Sequence, residues 1–489
     1  MVFTSWAFVL FLPIVLLLNA IWPKRWRHHM LLVASYVFYG WWDWRFLSLV
    51  IFTTWLDWFV ALLIQACHDR RDPAQAKRWI TFSVVMNLAV LGFFKYAGFF
   101  ADMVEPLAQL FGLDPAGWAA RIVLPLGISF YTFQSMSYTI DVYRRDMPAE
   151  RSFVKFALFV TYFPQLVAGP IERPQNLIPQ LDRPEKVNLD MVREGLGLMV
   201  LGFFKKMVLS TIVQREADVI FSEHARHQAA IALGESPIPI AGPLLMCALY
   251  LFTAQIYLDF SGYTDIARGC ARFFGVRLMK NFEQPYVSTN MTEFWQRWHI
   301  SLSSWFRDYL YRPIKGSRKG ERIIIFSQLA TMTIAGFWHG ATWAFIAWGF
   351  YHGLFLALER IWNRFLKKKV IAPGTSPRLL GFVGWVYVIH VVAFSLAFFR
   401  NQHLDLALTH IAGVFTWSAF PPDRWPTLVY TVLGLGTAIA IQREQRRCNR
   451  DDFFMAWPEL PQTICIGAMV VMVLYFSDQA GAPFIYFQF

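Results

Sequence analysis

Charged residues are scarce in this chain. Asp, Glu, Lys and Arg make up 16% of its 489 residues, where a water-soluble protein carries about a quarter. That shortage excludes an ordinary soluble enzyme. Cysteine is scarce as well: Cys67, Cys247, Cys270, Cys448 and Cys465 are odd in number, scattered and without CxxC spacing. They read as buried thiols, forming neither a disulfide framework nor a zinc site, and no metal is expected. No basic residue precedes the first apolar stretch, Phe3–Ile21, whereas Lys24, Arg25 and Arg27 follow it. A secretory signal has the opposite order, so this reads as a retained first helix with its N-terminus outside. No HExxH, Walker, GxGxxG or GxSxG pattern is present.

Apolar residues are what the chain has in excess, at 56% with a mean hydropathy of +0.38. They fall in about ten to twelve stretches long enough to cross, or nearly cross, a bilayer core of roughly 30 Å. Among them are Ile80–Phe100, Leu244–Phe260, Ile323–Phe337, Ala341–Leu358 and Leu379–Phe399. The expected fold is all-α: one polytopic membrane domain over residues 1–489, its membrane-spanning or re-entrant helices set around a central tunnel. The net charge of +12 suggests nucleic acid only at first sight. No basic run is interleaved with a soluble domain, and an excess of Lys and Arg in cytoplasmic loops accounts for the charge.

That excess also orients the chain. Basic segments at Lys24–His29, His68–Arg78, Arg144–Lys155, Arg297–Arg322, Arg360–Lys369 and Arg443–Arg450 are placed in the cytoplasm. Tyr96–Ala120 and Asn401–Asp423 contain no Lys or Arg and are placed outside. Tyr162–Pro170, with two prolines and a glycine, reads as a re-entrant segment. The longest basic loop, 297–322, holds seven Lys or Arg against Asp308 and Glu321, punctuated by aromatics. It is either an amphipathic segment lying on the leaflet or a surface for a polyanionic ligand.

One polar residue stands out against this background. In "GFWHGATW", Gly336–Trp343, a histidine lies between two apolar runs. Ile323–Phe337 spans 15 residues, or about 22 Å of helix, and stops short of the far face of the core. Ala341–Leu358 then returns to the basic segment at Arg360. His339 is therefore expected at the tip of a hairpin that rises from the cytoplasm without fully emerging. At that depth it should face the protein interior or water, neutral and able to accept a proton. The alternative is a structural histidine bonded to a neighbouring helix, which is the reading given to His352. "YLDFSGYTDIA" places Asp259 and Asp265 in an apolar stretch six residues apart, too far around a helix for an acid/base dyad. Hydrogen bonding to a histidine or arginine is their expected part.

"MTEFWQRWHISLSSWFRDYLYRPI" followed by "GFWHGATWAFIAWG" resembles the membrane-bound O-acyltransferase (MBOAT) family, in the bacterial branch that acetylates alginate and D-alanylates teichoic acid. "LPLGISFYTFQSMSYTIDVYR", "QLVAGPIER", "YLDFSGYTDIA" and the terminal "FIYFQF" extend the likeness over nearly the whole chain. The resemblance implies transfer of an acyl group from a cytoplasmic thioester to a hydroxyl, with His339 as the essential membrane histidine and His299 as the family's second one. It makes acetyl-CoA the donor. The basic loop then becomes a surface for coenzyme A phosphates or for the acidic face of an acyl carrier protein, through Arg297, Arg307, Arg312 and Lys315. Trp338, Asn290 and backbone N–H groups near Gly340 are candidates to stabilise the oxyanion, with Asp259 a further candidate at the substrate.

The outward run Thr463–Phe476 leaves residues 477–489 on the outer side. In that aromatic tail Tyr486 is either an interfacial anchor or, as the resemblance suggests, an acyl acceptor. Its phenol, with a pKa of about 10, needs a base to react. The expected setting is a multi-pass protein of the bacterial inner membrane, in contact with lipid but not nucleic acid. It would work with a periplasmic or membrane-tethered acetyltransferase, and with a polysaccharide synthase or secretion complex. Alginate is the foremost polymer, with cellulose, another exopolysaccharide or peptidoglycan as alternatives. Rival readings are a transporter or channel lined by Asp259, Asp265 and His339, against which no internal repeat is seen, and a non-catalytic secretion scaffold.

Overall fold

A computed structural model describes residues 1–112, 114–166, 169–318, 320–366 and 376–477, and every regular element among them is helical. Among the described residues, seven helices are long and apolar enough to cross a membrane: Trp44–Asp69, Pro73–Phe111, Leu189–Ala232, Gly242–Arg272, Pro377–Asn401, Pro422–Cys448 and Glu459–Phe476. Two legs of a hairpin and the shorter apolar helices Trp6–Ile21 and Leu404–Val414 join them. Apolar side chains also face outward. Along Trp6–Ile21 one helical face exposes Trp6, Val9, Leu10, Ile14, Leu17 and Ile21, while Phe8, Leu12 and Val15 are buried. Water would penalise such a stripe and hydrocarbon does not. The protein is a multi-pass membrane protein.

The chain forms two compact units, one of residues 1–199 with 263–279 and the other of 200–262 with 280–489. In the first, Asp57 is buried among three helices and accepts from Ser83 Oγ at 2.6 Å and Asn87 Nδ2 at 2.8 Å, and also from Ser135. A carboxyl group in an apolar bundle is tolerated only when its oxygens are filled in this way. Tyr162–Pro170 is broken: Phe153–Thr161 ends at Tyr162 and one turn, Phe163–Leu166, follows. Much of the segment expected outside, Tyr96–Ala120, is helical. The helix that starts at Pro73 runs on to Phe111, with Phe99, Phe100, Met103, Val104 and Leu107 continuing its apolar surface beside Asp102 and Glu105.

The second unit carries the hairpin. Its legs are Glu321–His339 and Trp343–Ile361, joined by three residues. Where they cross, backbone lies against backbone. A Cβ on Gly336 would meet Phe345 O at 2.2 Å, and one on Gly349 would meet Met332 O at 2.2 Å. Close approach of this kind is what small residues allow between membrane helices. At the open end Arg360 Nε donates to Glu321 at 2.7 Å and Arg364 joins the same carboxylate. The first leg is longer than the apolar run predicts, since Trp338 and His339 are its last helical residues. From Ile323 to His339 it rises about 24 Å.

Two further expectations need revision here. Asp259, expected to bond to a histidine or arginine, forms an ion pair with the buried Lys206. Lys206 and its neighbour Lys205 are themselves buried in an apolar helix, so two charges that confuse a hydropathy reading are absorbed inside the protein. Most of the basic segment, from Ile300 to Lys315, is not an open loop. Ile300–Phe306 is helical, continues through a wide turn at Arg307–Tyr311 into Arg312–Lys315, and buries Ser301, Leu302, Trp305 and Phe306. The aromatics that punctuate its charges are its packed side.

Candidate active site

The hairpin tip is built by short-range chemistry. Gly340 has an extended backbone, and a Cβ there would strike the Phe345 ring at 2.2 Å. Thr342 caps the second leg, its Oγ1 accepting from Phe345 N at 3.4 Å. His339 is thereby held as the final residue of the first leg and is only 7% exposed. Trp338, Trp348 and Phe399 meet its ring edge to face, with centroids at 4.9, 5.1 and 5.5 Å.

This imidazole is not sealed in. It closes one end of a cavity of about 570 Å³. One wall is a single face of the first leg, Gln328, Thr331, Met332, Ala335 and His339, rising about 16 Å. The opposite wall is Trp295, Gln296, Ile300, Ser303, Phe306 and Arg307, with Tyr311 beyond. The groove thus leads from the basic segment to the histidine. Behind His339 lies a second, far smaller chamber of about 20 Å³, lined by Ile256, His352, Ser395 and Phe399 among others. That is room for about one water. His339, Trp295 and Trp348 belong to both linings and form the partition.

His352, read from sequence as structural, shares this chamber. It lies edge-on to Trp295 at 5.0 Å and to Trp348 at 4.8 Å and is fully buried. The indole N–H groups of Trp295 and Trp348, and Nδ1 of His352, are buried with no hydrogen-bond partner. Buried donors are nearly always satisfied, so three orphans around one histidine mark a place where a substrate oxygen can be held. The signal for them was legible. Phe345, Trp348, Gly349 and His352 recur at helical spacing on the second leg, facing back across the hairpin.

The other predicted residues are more dispersed. Arg307 lines the groove, beside Asp308 at 3.0 Å. Arg297 is tied to Glu293 at 3.0 Å and to Glu283 O at 3.1 Å; Arg312 pairs with Asp308 at 3.2 Å; Lys315 ends a short helix. None of these three is part of the groove lining. Asn290 caps Met291–Arg297, accepting from Glu293 N at 2.8 Å, and Trp338 packs against Phe306. Neither they nor Asp259 line the two cavities. His299 is buried against Phe260 at 4.7 Å with a left-handed backbone, φ +43°. Burial pushes its pKa down to about 3, so the ring is neutral at pH 7. Ser303 N donates to its carbonyl at 2.9 Å, so it starts the helix that forms one groove wall. Tyr486 and nearly all of residues 477–489 lie outside the described residues.

The membrane fold thus holds a buried histidine at the end of a groove that begins at an arginine. The chain belongs to the MBOAT, membrane-bound O-acyltransferase, family, whose model matches residues 142–399, and it is an O-acyltransferase. It is 36% identical to Probable alginate O-acetylase AlgI of Pseudomonas putida, over 100% of both chains. It is 42% identical to the protein of that name in Azotobacter vinelandii, over 85% of this chain and 78% of that one. To the Peptidoglycan O-acetyltransferase of Helicobacter pylori the identity is 31%, over 81% of this chain and 74% of the relative.

Proposed function

We propose that this protein takes an acetyl group from cytoplasmic acetyl-CoA and passes it across the bacterial inner membrane for O-acetylation of an extracytoplasmic polysaccharide. The observation that carries the reading is the groove itself, which starts beside Arg307 and ends at His339. A long, thin thioester arm suits such a shape, with Arg307 meeting phosphate at its mouth. An alginate-like exopolysaccharide is favoured over peptidoglycan because the relatives named for alginate match more of the chain and at higher identity. The transporter and scaffold readings give way to family membership.

His339 acts as general base. The acceptor O–H loses its proton to the imidazole while its oxygen bonds to the thioester carbonyl carbon. Trp348 and Trp295 N–H groups hold the oxyanion. The C–S bond then breaks, and the departing thiolate takes the proton back from the imidazolium. General-base assistance contributes on the order of a hundred- to ten-thousandfold, and alignment in a narrow site contributes more. The acceptor is Tyr486 acting as a relay, or a hydroxyl brought by a periplasmic or membrane-tethered acetyltransferase that finishes the transfer beside the polymer's secretion complex. With labelled acetyl-CoA, purified protein should release thiol and acquire or pass on label. His339→Ala should abolish both while remaining folded in membranes. Retained transfer in that variant would refute the assignment, and label on Tyr486 would distinguish relay from anchor.

A further inference from the structure

A second polar cavity, of about 570 Å³, lies away from the groove at the basic end of two apolar spans. Arg443, Arg446 and Arg447 line one side of it, at the i, i+3, i+4 spacing that puts them on one helical face. Gly381, Phe382 and Trp385 line the other, from the first turns of Pro377–Asn401. Val287 closes the floor between them.

The notch is held open rigidly. Trp385 Nε1 donates to Tyr286 O at 2.9 Å, while Tyr286 N donates to Gln442 Oε1 at 2.7 Å. The short turn Pro285–Val287 is thus pinned to both helices and keeps them apart. Gly381 has nothing within 4 Å of where its Cβ would stand, which leaves one side of the notch clear.

Arginines at the end of a membrane helix have an ordinary explanation in loop charge and the helix dipole. That explanation covers their presence but not the cavity between them and two aromatic rings. Among the described residues only Arg447 of the three has a carboxylate beside it, Glu444 at 2.8 Å. Phe382 is 60% exposed, with Leu379 and Val383 exposed next to it. A cluster of guanidinium groups above an outward-facing apolar surface fits a molecule with an anionic head and hydrocarbon tails. A soluble phosphate would use the arginines and leave the apolar rim in water.

From this notch we infer that the protein binds one anionic phospholipid, its phosphate held by Arg443 and Arg446 and its chains lying over Phe382 and Leu379. Basic pockets between membrane helices recognise acidic headgroups in this way. Each arginine near such a headgroup is worth about fivefold in affinity, so losing two should weaken binding roughly thirtyfold.

The test is native mass spectrometry of detergent-purified full-length protein titrated with phosphatidylglycerol or phosphatidylcholine. The expected result is one retained phosphatidylglycerol, little phosphatidylcholine, and a roughly thirtyfold weaker apparent affinity in Arg443→Gln/Arg446→Gln. Should that double variant fail to fold, Arg446→Gln alone should show about fivefold. Equal retention of the two lipids, or an unchanged affinity in the folded variants, overturns the inference. Displacement of the lipid by millimolar inorganic phosphate overturns it too, since it would reveal a phosphate site with no need for hydrocarbon.

Discussion

Replacing Gly336 by alanine adds one carbon at the point where the hairpin legs touch, three residues below the tip. The new Cβ would stand 2.2 Å from Phe345 O, 2.8 Å from Gly349 N and 2.9 Å from Gly349 Cα, all of them backbone atoms that cannot rotate away. Real Cβ atoms essentially never come closer than 3.0 Å. The legs must therefore part by about 0.8 Å or more at this level. His339 rides on one leg and Trp348 on the other, so their 5.1 Å ring contact opens with it. A misplacement of about 1 Å in a reacting constellation costs roughly a hundredfold in rate. Overpacking costs about 1–3 kcal/mol in stability. Gly336→Ala should accordingly insert and purify, melt somewhat lower than wild type, and turn over about a hundredfold more slowly, the loss falling on kcat and not on KM. Thiol release from an acetyl thioester, followed by a chromogenic thiol reagent, measures both constants. Gly467→Ala, where the added carbon meets nothing within 4 Å, is the matched control. Wild-type turnover in Gly336→Ala would show that the interleaved glycines do not set the geometry of the tip.

Arg307→Gln should raise the KM for acetyl-CoA roughly tenfold with kcat little changed, while Arg297→Gln, held away from the groove by Glu293, should not; steady-state kinetics separates them. Trp348→Phe keeps an aromatic ring and removes the orphan N–H, so kcat should fall about a hundredfold if that group holds the oxyanion, read in the same thiol assay. His299 has its pKa lowered from 6.5 to about 3 in the folded state. Its neutral burial therefore stabilises the fold above pH 6.5, and that contribution is lost as pH falls from 6.5 toward 3. Melting temperatures measured from pH 8 to 4 should drop less steeply in His299→Gln. The chamber of about 20 Å³ behind His339 admits a methyl group and little more, so butyryl-CoA should be turned over far more slowly than acetyl-CoA in parallel assays.

Much of this site was legible before any coordinates. Apolar run lengths and the "GFWHGATW" break located the hairpin, and the charge on either flank set both of its feet on one side. Small residues at 336, 340 and 341 marked a close crossing, which Gly336 and Gly349 make. What could not be read was which side chains turn inward from elements distant in sequence. Trp295 and Phe399 reach His339 from helices placed by long-range packing, and no local period announces that. Hydropathy also treats each charge as exposed. It therefore could not supply the buried Lys206 as the partner of Asp259. His352 was within reach of helical periodicity but looked ordinary without its neighbours.

The clasp of Glu321 with Arg360 and Arg364 has a bearing on how the molecule is made. Between Arg322 and Glu359 the chain carries no Asp, Glu, Lys or Arg, so the whole hairpin can be pushed into the bilayer during biosynthesis without dragging a formal charge through it. On the proposed orientation both feet stay behind in the compartment of synthesis, where Glu321 locks to Arg360 and Arg364. On that orientation His339 is delivered from the ribosome's side, on a prong that never has to be pulled through to the other.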